Sequence, residues 1–112
     1  MSEYSYLKEY QEWCVSKLNK NTNKTKDDML LNATLGLAES GEIQNIIKKY
    51  LFHEHSLDRE KILDECGDLL FYIAVMLYSL DFTFENAIDF NEIKLNKRYK
   101  ESATKEESIN RQ

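Results

Sequence analysis

Proline is absent from this chain, and glycine occurs only three times among its 112 residues. Both residue types punctuate helices and form turns, so their scarcity leaves few signals for hairpins and tight turns. Cysteine occurs twice, at Cys14 and Cys66, which is too few for a disulfide framework. The longest apolar stretch, residues 69–80, is too short to cross a membrane. These absences predict a helical protein with no disulfide framework and no membrane partner.

The charge balance is acidic, with a formal net charge of −5. General nucleic-acid binders are usually basic, so we expect no nucleic-acid partner. An acidic protein that handles polyanions needs bound metal or a local group of cations to bridge the charge. The first ten residues contain no apolar run, so we expect no signal peptide and a reduced, cytoplasmic location. The length suits one domain spanning residues 1–112.

Apolar residues recur at helical spacing in four segments. The predicted helices cover about residues 2–18, 28–51, 57–80 and 83–101, with a polar loop at 19–26 and a frayed tail at about 102–112. We therefore predict an all-α fold, a bundle of four main helices. The third predicted helix is apolar nearly all round at residues 69–80, and such a helix must be covered on every side. A second subunit is expected to cover it, which predicts a dimer or higher oligomer.

Two predicted helices each carry a pair of carboxylates three residues apart. The pairs are Glu39 with Glu42 and Glu65 with Asp68. Residues at this spacing share a helix face, with Cβ atoms roughly 5–6 Å apart. If the two helices pair antiparallel, four carboxylates face one site, and all-oxygen ligands of this kind suit Mg²⁺, with Mn²⁺ as a substitute. A carboxylate left free of metal can act as general base.

Glycine recurs at the same offset in both acidic motifs, as Gly41 and Gly67. Glycine inside a helix costs roughly 1 kcal/mol relative to alanine. Two glycines at matched offsets therefore predict that the two helices approach closely at this point. The alternatives are solvated charged faces and a di-iron bundle, but the latter requires Glu-x-x-His motifs that the sequence lacks. His53 and His55 are expected to be exposed loop residues.

Polar and cationic residues follow the carboxylates along the chain. Asn91, Lys94 and Arg98 lie at three-then-four spacing and form one stripe on the fourth predicted helix. Amide, ammonium and guanidinium groups on one face can bind a triphosphate, although an ordinary solvated face has the same appearance. Lys48 lies within two turns of Glu42. Trp13 is a candidate for stacking on a base, with a place in the core as the alternative.

Taken together, these motifs resemble the MazG-like nucleotide pyrophosphohydrolases of the all-α NTP pyrophosphatase superfamily. That superfamily includes dimeric dUTPases, dCTP pyrophosphatases and phosphoribosyl-ATP pyrophosphohydrolase. The similarity covers about residues 31–99. It is carried by LGLAESGE (35–42), IKK (47–49), ECGDLLFY (65–72) and NEIKLNKRY (91–99).

The resemblance implies hydrolysis of a nucleoside triphosphate, NTP or dNTP, to the monophosphate and pyrophosphate, in nucleotide-pool housekeeping or control. It also implies a homodimer or homotetramer with sites near subunit contacts. The acids matching the metal ligands are Glu39, Glu42, Glu65 and Asp68. The positions expected near the substrate phosphates or sugar are Lys48, Asn91, Lys94, Arg98 and Tyr99.

One position departs from the family pattern. Some members carry an additional Glu immediately before the first motif acid, where this chain has Ala38. The division of roles among the four acids therefore stays open. A non-catalytic helical module, either a nucleotide sensor or a protein-interaction module, is the alternative function. Base and sugar preference are not predicted.

Overall fold

The computed structural model describes residues 5–110, and no strand occurs in that range. The all-α helical character predicted from the sequence is confirmed. Five α-helices and one 3-10 turn follow in order: α1 (Ser5–Ser16), α2 (Lys26–Ala38), the 3-10 turn (Glu39–Gly41), α3 (Glu42–Phe52), α4 (Arg59–Ser79) and α5 (Phe84–Asn110).

Side-chain caps fix where α2 and α4 begin. The Thr25 hydroxyl accepts a hydrogen bond from the backbone N–H of Asp28, and the Asp28 carboxylate accepts one from the N–H of Thr25, both at 3.1 Å. This reciprocal pair is a capping box, which satisfies N–H groups that have no partner within the helix. Asp58 caps α4 by accepting from the N–H of Lys61 at 3.0 Å.

Two predicted helix boundaries are wrong. The segment predicted as one helix over residues 28–51 is divided into α2 and α3 by the 3-10 turn at Glu39–Gly41. Ser40 and Gly41 fall in this turn, and both have lower helix propensity than the alanine and leucine before them. The last helix was predicted to end near residue 101 but continues to Asn110. No proline or glycine follows Gly67 to stop it.

The buried core is small and lies where α1, α2 and α4 meet. Its members are Cys14, Ala33, Ala74, Val75 and Phe84. Cys14 and Cys66 are both free thiols, with Cys14 buried and Cys66 exposed. Burial raises the pKa of the Cys14 thiol and raises the pKa of Tyr10 to about 12. Both groups are therefore neutral near pH 7 and behave as parts of the apolar core.

A buried glutamine ties α1 to the corner between α4 and α5. The Gln11 amide nitrogen donates to the carbonyl oxygen of Ala74 at 3.1 Å and to that of Phe82 at 3.0 Å. Phe82 lies in the short connection to α5, next to Asp81, whose φ of 64° is left-handed. Lys26 forms an ion pair with Asp81 from the start of α2. Gln11 and Lys26 therefore hold this corner from two helices.

Replacing Gln11 tests the contribution of this corner to stability. Gln11→Ala removes both hydrogen bonds and leaves two carbonyl groups without this donor, so we expect a loss of about 2 kcal/mol in the free energy of unfolding. Gln44→Ala, at an exposed position of α3, should change it by less than about 0.5 kcal/mol. Urea unfolding followed by circular dichroism measures both. Equal midpoints for the two variants would contradict a role for Gln11.

The helix α5 extends away from the other helices. The chain bends by 98° between α4 and α5, and α5 packs mainly on α1. The Cα radius of gyration is 19.0 Å, whereas a compact chain of this length has about 13 Å. Phe90 and Ile93 are 76% and 72% exposed on α5. The helix thus presents apolar side chains that the rest of the described chain leaves uncovered.

Further apolar side chains are exposed on the other helices. They include Leu31, Leu35, Leu51, Phe52, Leu63 and Leu70. Within residues 5–110, no single helix is long and apolar enough to cross a membrane. By length and composition alone, α4 and residues 84–103 of α5 meet that test together, as a pair bent by 98°.

Candidate active site

A small cavity lies between the end of α2 and the middle of α4. It is lined by Gly36, Glu39, Glu65, Asp68, Leu69 and Tyr72. Its volume of about 30 Å³ is room for one or two water-sized groups. The structure therefore brings three of the four predicted acids to one place, in a space suited to an ion rather than to a whole nucleotide.

The break between α2 and α3 decides which acids share the cavity. Glu39 opens the 3-10 turn and lines the cavity, whereas Glu42 begins α3 and does not line it. The two residues thus belong to different elements, whereas their spacing predicted one regular helix. The predicted pairing of Glu39 with Glu42 on one regular helix is therefore wrong. Glu65 and Asp68 do lie on one continuous helix, α4.

A further acid joins the cluster on α4. Oxygen atoms of Asp64, Glu65 and Asp68 all lie within 4.8 Å of one another. Glu65 is half-buried and the other two are exposed. Asp64 was not predicted from the sequence, although it lies four residues before Asp68, which places it on the same helix face.

This donor set fits a hard divalent cation. Mg²⁺ binds oxygen at 2.0–2.1 Å, so ligands on opposite sides of the ion are about 4.2 Å apart. Ligand oxygens of Asp64, Glu65 and Asp68 lie within 4.8 Å of one another, slightly more than that separation. Glu39 lines the same cavity from another element of the fold, but it is not among the acids whose oxygens lie within 4.8 Å of one another. Within the described part of the chain, none of these acids has a salt-bridge partner, so their charge is available to a cation.

The matched glycines do not mark a close approach of helices within this chain. A Cβ atom built on Gly41 or Gly67 would meet nothing within 4 Å. The prediction drawn from their equal offsets is wrong for this reason. Gly36, which the sequence analysis did not single out, is the glycine at a close contact: a Cβ there would lie within 3.0 Å of ring carbons of Tyr72.

The predicted cationic stripe lies on α5, apart from the carboxylate cavity. Asn91 and Lys94 line an open, mostly apolar groove between the end of α4 and α5. Arg98 and Tyr99 are exposed one to two turns further along. At 1.5 Å per residue, Arg98 lies about 21 Å along α5 from Phe84. None of these four residues lines the carboxylate cavity of the same chain.

The remaining two predicted residues are also exposed. Lys48 lies on the solvent side of α3. Trp13 is 54% exposed on α1. It therefore does not lie in the core of a single chain, which was the alternative to stacking on a base. Its ring stacks on Tyr10 with centroids 6.2 Å apart, and the Lys17 ammonium lies over it at 5.6 Å. Neither Trp13 nor Lys48 contributes to the cavity.

Comparison with protein-family models, with curated proteins and with solved structures finds no match to this chain. The MazG-like resemblance therefore rests on the motif residues alone. The geometry adds one independent fact, that Glu39, Glu65 and Asp68 meet at one cavity although 26 residues separate Glu39 from Glu65.

Proposed function

We propose that this protein hydrolyses a nucleoside triphosphate to the monophosphate and pyrophosphate with the help of Mg²⁺. The observation that carries the proposal is the cavity at which Glu39 meets Glu65 and Asp68. An acid of the 3-10 turn lines the same cavity as two acids of α4. Convergent carboxylates beside a cavity of ion size are what a metal-dependent phosphate site requires.

The acids divide into two groups under this proposal. Glu39, Glu65 and Asp68 would hold Mg²⁺, with Asp64 as an additional oxygen donor beside them. When bound, Mg²⁺ would supply charge neutralisation for the phosphates and a lowered pKa for a water. Glu42 lies outside the cavity, so the base that takes the proton from the attacking water would be a cavity carboxylate left free of metal. The bond that breaks is the anhydride between the α- and β-phosphates.

We propose that the chain works as a homodimer in which α5 of one copy supplies cations to the cavity of the other. The accessible surface is 9179 Å², whereas a folded monomer of this mass exposes about 6,500 Å². The difference of about 2,700 Å² per chain matches what a large obligate interface buries from each partner. Phe90 and Ile93 are the apolar residues that such an interface would cover.

The stripe on α5 has a defined role in this assembly. Lys94 and Arg98 carry positive charge that a triphosphate needs. Neither lines the cavity of its own chain, and α5 leaves α4 at an angle of 98°. In the proposed dimer, α5 of the second copy lies beside the cavity of the first copy and brings its cations to that cavity. Arg98 binds phosphate oxygens in a bidentate manner, and Asn91 provides a neutral donor beside it.

A non-catalytic interaction module or nucleotide sensor is the second candidate. The observation that favours an interaction module is the apolar groove between α4 and α5, lined by Leu77, Phe82, Phe90 and Ile93. A module of this kind binds its partner equally well with EDTA present. A sensor binds nucleotide without releasing pyrophosphate. Metal dependence and product release therefore separate the three functions.

The direct test is pyrophosphate release from a panel of canonical and modified NTPs and dNTPs, with Mg²⁺ and then with EDTA. We expect release with Mg²⁺, with Mn²⁺ as a substitute, and none with EDTA. The preferred base and sugar come from the same panel. Failure to release pyrophosphate from any nucleotide, at concentrations where the protein is folded and oligomeric, would favour the sensor or the interaction module.

A further inference from the structure

The outer face of α5 carries one row of four exposed side chains. They are Asn86, Phe90, Ile93 and Lys97. Their spacings of four, three and four residues place them on one stripe of the helix. The two apolar residues form the middle of the row, and a polar residue stands at each end. The row is therefore symmetric about its midpoint, so its apolar centre meets an apolar centre when it packs against a reversed copy of itself.

The charge of α5 changes sign at the same midpoint. Residues 84–92 contain three acids and no cation, and residues 93–100 contain four cations and no acid. The acids are Glu85, Asp89 and Glu92, and the cations are Lys94, Lys97, Arg98 and Lys100. The helix dipole favours this order of charges only in the first and last turns. The cations lie ten or more residues before the end of α5 at Asn110, so the dipole does not account for them.

An uncovered apolar groove runs beside this row. Phe90 and Ile93 line it together with Leu77 and Phe82, between the end of α4 and α5. Its volume of about 890 Å³ is room for several side chains. The chain exposes about 2,700 Å² more surface than a compact monomer of its mass, whereas a standard interface buries only about 800 Å² from each partner. The uncovered area is thus sufficient for a stable contact with a second copy.

We propose that two copies of this chain pair through α5 in antiparallel order, each covering the groove of the other. The acidic half of each α5 then lies against the basic half of its partner, whereas a parallel pair would oppose like charges. The same surface serves both copies, so the contact closes on a two-fold axis and stops at a dimer. This inference rests on the homodimer of the proposed function and adds how the two copies meet. It does not depend on hydrolysis.

Cysteine cross-linking tests the order of the two helices. In an antiparallel pair centred between Phe90 and Ile93, residue 86 of one copy lies opposite residue 97 of the other. Residues 86 and 97 of one helix are about 16 Å apart, and a disulfide requires Cα atoms within about 7 Å. With exposed Cys66 replaced by serine, a mixture of Asn86→Cys and Lys97→Cys chains should form disulfide-linked dimers on mild oxidation. Neither variant alone should do so, whereas a parallel pair would cross-link each variant alone.

Charge reversal tests the attraction between the two halves. Asp89→Lys with Glu92→Lys makes both halves of α5 basic, and Lys94→Glu with Lys97→Glu makes both acidic. Each double variant alone should dimerise at least about 10-fold more weakly at low salt, and an equal mixture of the two should form mixed dimers. Glu9→Lys with Glu12→Lys reverses two exposed acids at the same spacing on α1 and should leave the dimer affinity within about threefold of wild type.

Sedimentation equilibrium of the full chain measures these affinities, and circular dichroism checks that helical content is kept. Wild-type protein that stays monomeric at about 100 times the micromolar range of weak complexes would overturn the pairing. Disulfide-linked dimers of Asn86→Cys alone, or unchanged affinity in both charge-reversed variants, would overturn the antiparallel order. Pyrophosphate release by a protein with either result would leave hydrolysis standing. An antiparallel dimer that releases no pyrophosphate would overturn hydrolysis alone.

Discussion

Asp68→Asn is expected to lower the rate of pyrophosphate release by about 100-fold or more while leaving the helical content unchanged. Asp68 lines the cavity with Glu39 and Glu65, and its oxygens lie within 4.8 Å of those of Asp64 and Glu65. Asparagine keeps the shape but removes the charge that a divalent cation requires. Even residues that only orient a ligand cost 10–100-fold when changed, so a direct ligand should cost at least the upper end of that range.

Matched variants on the same helix distinguish the loss of a metal ligand from the general effect of removing one negative charge. Glu60→Gln removes one negative charge from the exposed first turn of α4 and should leave the rate within about twofold of wild type. Asp64→Asn should fall between the two, since Asp64 belongs to the acidic cluster but does not line the cavity. Steady-state rates over a range of Mg²⁺ concentrations measure all three. Near-wild-type activity of Asp68→Asn at low Mg²⁺ would exclude the proposed metal site.

Much of the fold was accessible from the sequence because helix signals are local. Apolar periodicity located the helices, and Thr25 and Asp58, which cap two of them, are residue types that favour helix starts. The break at Glu39–Gly41 was not predicted, because the hydrophobic pattern continues across it without a proline. The helix propensity of Ser40 differs from that of its neighbours by only a few tenths of a kcal/mol, which is too small to predict a helix break there.

The candidate site was only partly predictable, for a different reason. A shared site for the four acids was predicted only on the condition that their two helices pair. In the structure Glu39, Glu65 and Asp68 line one cavity and Glu42 does not. The close contact of Gly36 with the Tyr72 ring is a tertiary contact between positions 36 residues apart, so it could not be predicted from the sequence. Equal spacing of Gly41 and Gly67 carried no such information. Residue spacing therefore predicted which side chains share a face of one helix. It did not predict which faces of two helices contact each other.

The direction of α5 could not be predicted from the sequence, because the local conformational preferences of the residues do not determine it. The corner that bends the chain by 98° depends on long-range hydrogen bonds from Gln11 and an ion pair from Lys26. Neither residue carries a recognisable motif. The predicted stripe on α5 nevertheless forms one face, and its distance from the carboxylate cavity leads to the second large prediction.

Two inactive variants are expected to restore activity to each other when they assemble together. The first is Asp68→Asn, which lacks a metal ligand. The second is Lys94→Ala combined with Arg98→Ala, which lacks the cations on α5. Each alone should have at most a few per cent of wild-type activity. Refolding an equal mixture should recover about a quarter, because half of the randomly formed dimers are mixed and each mixed dimer has one intact site of two.

This recovery discriminates between α5 acting on its own chain and α5 acting on its partner. If both sets of residues acted within one chain, every chain in the mixture would carry a defective site, and the activity would stay at the sum of the separate variants. Ile93 is 72% exposed on α5 of a single chain. Introducing Ile93→Asp into both chains places a charge on this apolar face. Light scattering should then show monomers, and the recovery should disappear. Recovery that survives in monomeric Ile93→Asp chains would contradict a shared site, because the two halves of such a site meet only when two copies bind each other.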